Sequence, residues 1–201
     1  MEDRNDKNYS GFVMLGLENP DWESCITRFG EMNKVDYKWE PFPHVTIGLF
    51  IKNTELKNVV RAVFSQIQFG AEINLKTVRT GHFSNPSQII LKFDDFVNPK
   101  YLYMLNSICQ SFDNKNPWKS YSPHITLAYI DNTPANELIA HEIWNPSFKI
   151  KSLSVSYKNA QDNTVCMHIK PDFSYSMELT DSNGNSVTGR TELDNCFLNF
   201  K

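Results

Sequence analysis

The sequence predicts a mixed α+β domain made of two related lobes about a pseudo-twofold axis, closed by a C-terminal β-hairpin. Three observations point there. Strand-like and helix-like segments mix, as in an α/β or α+β domain with a mixed or antiparallel sheet. A five-residue pattern, Pro43-His44-Val45-Thr46-Ile47, returns in the second half as Pro123-His124-Ile125-Thr126-Leu127. Residues 171–201 change in character and carry Asn183-Gly184, a strong hairpin-turn signal.

Residues 9–17 are rich in β-formers and read as the first strand. Asn19-Pro20-Asp21 opens a helix reaching about Met32, with Trp22, Cys25, Ile26 and Phe29 at helical spacing. Residues 33–42 are polar and read as a loop, and residues 44–51 as a strand. Thr54 is a candidate N-cap for a helix bearing Leu56, Val59, Val60, Val63, Phe64 and Ile67 at i, i+3, i+4 spacing. Residues 72–79 alternate as a strand, and residues 81–86 are turn-rich. Strands at 88–93 and 124–130 flank a helix at 99–112 and a loop at 113–117. Residues 149–157 and 164–170 form two strands joined by a polar turn. The expected division is a core domain over 1–172 and a hairpin extension over 173–201, with an apolar end at Cys196-Phe197-Leu198.

A chain of 201 residues suits one domain, and 40% hydrophobic residues allow a packed core. The net charge of −3 argues against a broad basic face for long nucleic acid, and fits a small anionic ligand better than a duplex. Cys25, Cys109, Cys166 and Cys196 form no C-x-x-C pair. The first residues are highly charged with no apolar signal segment behind them, and no apolar run is long enough for a membrane span. The expectation is a soluble cytoplasmic protein with free thiols.

The repeated motif carries the chemistry. Residues i and i+2 of a strand share a face, so His44 lies with Thr46 and His124 with Thr126. Proline fits the first position of a strand, where no ladder hydrogen bond is lost. On neighbouring strands the four side chains converge. Two imidazoles can then serve as general base and general acid across one phosphodiester, and two hydroxyls can donate to its non-bridging oxygens. A single strand histidine is ordinarily a core or edge residue; the matched pair outweighs that reading. No H-E-x-x-H occurs and no acidic residue stands at ligand spacing, so neither metal nor cofactor is expected. No glycine-rich phosphate loop is present. Phe12, Phe42, Trp118 and Tyr121, and more weakly Tyr157, are candidate stacking surfaces for bases. Lys119 is a candidate phosphate contact, and His82 sits in a loop that could approach the site. His141 and His168 read as structural or surface residues.

With two H-x-T motifs in two halves, the chain resembles the 2H phosphoesterase superfamily over about residues 9–170. That resemblance implies a bilobal fold and metal-independent phosphodiester hydrolysis. The superfamily includes RNA 2′,3′-cyclic phosphodiesterases, 2′-5′ oligoadenylate phosphodiesterases and phage anti-CBASS enzymes, which destroy the cyclic oligonucleotide signals of antiphage immunity. Ile90-Leu91-Lys92-Phe93-Asp94 and Tyr121-Ser122-Pro123-His124-Ile125-Thr126-Leu127-Ala128-Tyr129 are most similar to the phage group. Gly81-His82-Phe83-Ser84-Asn85-Pro86 is similar to the RNA-processing branch. Two features depart from the pattern: the 171–201 extension, and Ile47-Gly48-Leu49-Phe50, which lacks the tyrosine-containing continuation of the phage first motif. The resemblance implies a cyclic di- or trinucleotide, or a short oligonucleotide, as substrate, with the host cytoplasm as the place of action. An RNA-end or 2′-5′ oligoadenylate phosphodiesterase and a catalytically silent nucleotide-binding protein are the competing readings.

Overall fold

Alternating burial builds the molecule. In strand β1 (Gly11–Glu18), Val13, Leu15 and Leu17 are buried while the residues between them are less so. This is the two-residue period of a strand with one face on a core. The structure, a computed structural model, describes residues 6–24, 27, 31, 38–40, 42–75, 84–85, 88–93, 96–117, 120–130 and 147–187. The remaining strands among them are β2 (Lys38–Trp39), β3 (His44–Ile51), β4 (Glu72–Asn74), β5 (Ser84–Asn85), β6 (Gln88–Phe93), β7 (Ile125–Ile130), β8 (Ser147–Lys158), β9 (Thr164–Ile169) and β10 (Tyr175–Thr180). They form one sheet in the order β10-β9-β8-β1-β3-β7-β6-β5, with β2 added to β7 and β4 to β8. The strands that carry the two histidine motifs are therefore neighbours in its middle.

Among the described residues, two helices cover the core face. Helix α1 (Leu56–Phe64) buries Leu56, Val59, Val60 and Val63, and α2 (Lys100–Gln110) buries Leu102, Leu105, Asn106 and Cys109. They pack with Val13, Leu15, Val45, Ile47, Ile125, Leu153 and Val155 into one cluster. Each such side chain, fully buried, contributes about 1.5–3 kcal/mol. Gly48 lets α2 approach β3: a Cβ there would stand 3.0 Å from Cys109 Sγ and 2.7 Å from Ile51 Cδ1. Burial pushes the Cys109 thiol up to about 12, which leaves it inert as a nucleophile.

One irregularity decides which side chains meet the histidines. Gly16 pairs with Ser152 but Leu17 pairs with Ile150, so Lys151 is an extra residue in β8. Such a bulge reverses the facing of everything beyond it. Phe148 and Ile150 face the core on one side of it, and Leu153, Val155 and Tyr157 on the other. Ser152, Ser154 and Ser156 are thereby turned to the opposite face.

Several local expectations are corrected. The stretch expected as a loop over 33–42 contains β2, which pairs with β7 through Lys38↔Tyr129 and Trp39↔Ala128. Backbone pairing with a ready strand supplies what its polar composition does not advertise. Thr54 makes no cap; Asn53–Glu55 forms a 3₁₀ turn feeding directly into α1. The first helix begins at Trp22, and most of its expected span lies outside the described residues. After residue 172 the hairpin segment begins with β10, which pairs with β9 from Tyr175↔Ile169 to Thr180↔Thr164 and lengthens the sheet. The Phe173 ring stacks on Phe64 at 4.7 Å. The turn at Asn183-Gly184 carries φ +82° at Gly184, a left-handed conformation that glycine adopts freely. The chain then returns through a Thr180↔Ser186 bridge. Cys109 and Cys166 are free thiols, while Cys25, Cys196, Phe197 and Leu198 lie outside the described residues. Among the described residues no helix is long and apolar enough to cross a membrane.

Candidate active site

Strands β3 and β7 share one registered antiparallel pair, Val45↔Ile125. Both residues are fully buried on the core face. Their sequence neighbours therefore point to the opposite face. Extending that register by one residue each way sets His44 across from Thr126 and His124 across from Thr46. Each histidine thus stands beside the threonine of the other motif. The two imidazoles become diagonal neighbours, with backbones about 7–8 Å apart, a span that a tetrahedral phosphate can bridge. The Val45/Ile125 pair is the local pseudo-twofold axis.

The two rings are oriented alike. His44 Nδ1 lies 3.0 Å from the Phe42 carbonyl, and His124 Nδ1 lies 2.9 Å from the Ser122 carbonyl. A carbonyl only accepts, so Nδ1 carries the hydrogen in each ring and Nε2 is the basic nitrogen. The proline of each motif explains the match. Phe42 and Ser122 precede Pro43 and Pro123, and a residue before proline is driven to extended conformations. Both prolines are buried. A Glu40 carboxylate oxygen stands 4.0 Å from His44 Nδ1, within ion-pair reach whenever that ring is protonated.

Thr126 is 7% exposed and Thr46 half-buried. Past Val45, side chains take over from the ladder: Tyr121 donates its hydroxyl to the Thr46 carbonyl at 2.9 Å, and Asn106 donates its amide to the Ile47 carbonyl at 2.8 Å.

The other sequence candidates are placed unevenly. The Phe42 ring is 70% exposed beside the first motif, open for stacking. Phe12 pairs with Ser156 across the sheet, which puts it on the histidine face, and its ring lies 5.5 Å from that of Phe50. Tyr121 is a correction. It packs against the core and edge-on to Tyr103 at 5.8 Å, with its hydroxyl engaged, so it is a tie between the motifs and not an open platform. A buried phenol needs a partner, and its burial pushes its pKa well above the ordinary tyrosine range. Tyr157 is a second correction: it is 5% exposed on the core face, and it lines a separate groove of about 490 Å³ with Lys7, Asn53, Thr54 and Asn159. Trp118, Lys119, His82 and His141 lie outside the described residues. Among the described residues no three His, Cys, Asp or Glu side chains group as a metal site.

Sequence reasoning overlooked the serine row of β8; His168, read from the sequence as a structural or surface residue, is its partner. Met14 pairs with both Thr46 and Ser154, and Ser154 pairs with His168, which carries the histidine face outward through β1, β8 and β9. Ser154 Oγ is 2.8 Å from His168 Nδ1, and Cys166 Sγ is 3.6 Å from its Nε2. A serine at every second position from 152 to 156 was the available signal.

No family model matches the sequence, and no curated protein is similar to it. Solved structures do match. Usb1 from Kluyveromyces marxianus aligns over 85% of this chain and 98% of its own, with TM-score 0.52 and 13% identity. The same protein with uridine monophosphate aligns over the same shares, with TM-score 0.51 and 12% identity. E. coli LigT complexed with 3′-AMP aligns over 84% of this chain and 97% of its own, with TM-score 0.47 and 15% identity. The chain has the mixed α+β fold of Usb1.

Proposed function

We propose that this protein is a metal-independent phosphodiesterase that cleaves a nucleotide phosphodiester between His44 and His124. One Nε2 accepts the proton of the attacking ribose hydroxyl or water, and the other protonates the leaving oxygen. Thr46 and Thr126 donate to the non-bridging oxygens as charge develops on them. What carries this reading is the matched pair of Nδ1–carbonyl bonds on adjacent strands, which gives two imidazoles the same tautomer on the same face. The pseudo-twofold arrangement makes the two roles exchangeable in principle. The fold shared with Usb1, a protein whose structure is solved with uridine monophosphate, supports a nucleotide as ligand.

The substrate we infer is a cyclic di- or trinucleotide of the kind used as an immune signal. The net charge of −3 suits a compact ligand held by a pocket better than a long RNA gripped by many lysines. The exposed Phe42 ring beside His44 offers a stacking surface for one base. The test is incubation, in excess chelator, with cyclic di- and trinucleotides, 2′-5′ oligoadenylates and 2′,3′-cyclic-ended RNA. Turnover of cyclic oligonucleotides without added metal is the expected result. Cleavage of RNA ends with inert cyclic oligonucleotides would move the protein to RNA processing, and no turnover of any substrate would leave a nucleotide-binding role.

A further inference from the structure

We infer that Ser152 contacts the nucleoside on the His44 side of the scissile phosphate, and that it opens a polar subsite along β8 and β9. This rests on the phosphodiesterase reading above and adds a residue to it.

The register places Ser152 close to the chemistry. Gly16 pairs with His44 on one side and with Ser152 on the other. The Ser152 hydroxyl occupies the space that a Cβ on Gly16 would need. It therefore leans over β1 toward His44, about one strand spacing, roughly 4.8 Å, from the β3 backbone. Gly16 itself places no side chain between the hydroxyl and the imidazole. The phosphate position lies on the other flank of His44, toward His124. A group over Gly16 consequently meets what is attached to the phosphate, namely a sugar hydroxyl or a base edge.

The hydroxyl also lacks an internal reason to be there. Ser152 is 8% exposed, and among the described residues its hydroxyl has no hydrogen-bond partner. Its neighbour Ser154, 4% exposed, is tied to His168 Nδ1 at 2.8 Å. Both His168 nitrogens are engaged, one by Ser154 and one by Cys166 at 3.6 Å, so His168 is a fixed wall of the same trough. The Ser152 oxygen is not among the fully buried unpaired atoms of the described residues, so it stays open to a ligand lying in this trough.

The test compares the full chain with Ser152→Ala and with Ser152→Cys, which is similar in size and a poor hydrogen-bond donor. Binding of 3′-AMP, of uridine monophosphate and of inorganic phosphate is measured by calorimetry, with thermal melts alongside. The expected result is a roughly 3–10-fold weaker Kd for a nucleotide in both variants, the scale of one neutral hydrogen bond, with phosphate affinity unchanged and Tm equal or higher. Unchanged nucleotide affinity, or equal loss for phosphate and nucleotide, overturns the subsite. So does a lower Tm in both variants, since that marks the hydroxyl as structural. The His44→Ala/His124→Ala double variant separates the two ideas. If it binds phosphate as the wild type does, the phosphodiesterase reading falls and the subsite with it. If it loses phosphate while the Ser152 variants keep nucleotide affinity, only the subsite falls.

Discussion

In the first motif the His44 ring is held by the carbonyl of Phe42, and in the second the His124 ring by that of Ser122, at 3.0 and 2.9 Å. The backbones that carry them are anchored differently. Strand β3 is laddered to β1, from Gly11↔Ile51 to Gly16↔His44. Strand β7 is laddered to β6, from Ile89↔Ile130 to Phe93↔Ile125. Directly between β3 and β7 the described residues show one registered pair, Val45↔Ile125, flanked by the side-chain ties from Tyr121 and Asn106 into β3, while β2 adds Lys38↔Tyr129 and Trp39↔Ala128 further along β7. The orientation of each imidazole is thus a property of its own Pro-His segment, while the distance between imidazoles depends on the seam. Substitutions in the motifs should change chemistry and spare stability, and substitutions in the seam should do the reverse.

The sharpest break between these two classes is at the histidines. His44→Ala and His124→Ala should each lower turnover by about 10²–10⁴-fold with an unchanged circular dichroism spectrum. Near-normal turnover in both would falsify the acid/base assignment.

Next come the threonines. Thr46→Val and Thr126→Val should each cost about 10²-fold in turnover, the lower end of the effect of losing one donor to a developing oxyanion. Similar losses at both positions support a phosphate on the pseudo-twofold axis. A loss confined to one of them would show that the motifs are alike in sequence and unequal in use, a difference the deeper burial of Thr126 already raises.

The seam should respond in the opposite way. Tyr121→Phe removes the donor to the Thr46 carbonyl, and Asn106→Leu removes that to Ile47. Each should destabilise by about 1–3 kcal/mol, the cost of an unsatisfied buried carbonyl, read from urea unfolding. If Tyr121→Phe instead leaves stability intact and raises the Michaelis constant alone, Tyr121 faces substrate and the seam has been misjudged.

The smallest effect on activity is expected at the far edge of the sheet. Cutting the chain after Asp172 removes β10, the Phe173–Phe64 stack and the buried Leu179; β10 is the edge strand beyond β9 and pairs with neither β3 nor β7. Turnover should persist, while Tm falls by about 2–4 °C for each kcal/mol lost. A truncated protein that stays folded and is inactive would tie the extension to the site.

Much of this was legible from residue order alone. The alternation of Val13, Leu15 and Leu17, and the helical spacing of Leu56, Val59, Val60 and Val63, are local periodicities that any window of the chain displays. Less visible was β2, a pair of residues that becomes a strand because β7 offers it a backbone edge. Tyr121 reads as a surface aromatic because it precedes a motif, and only the packing of α2 and β3 around it shows that its hydroxyl has a task.

The P-H-x-T repeat determined by itself which residues share a face, which residues precede a proline and hence which carbonyl can hold each ring, since these relations span two positions of one strand. Tertiary structure alone decided that the strands carrying positions 44 and 124 lie side by side, that a bulge at Lys151 turns Ser152 onto the face opposite the core, and that Tyr157 faces the core instead. Pairing partners and bulge positions are settled by burial and hydrogen bonding between segments far apart in the chain, and no local pattern of side chains records them.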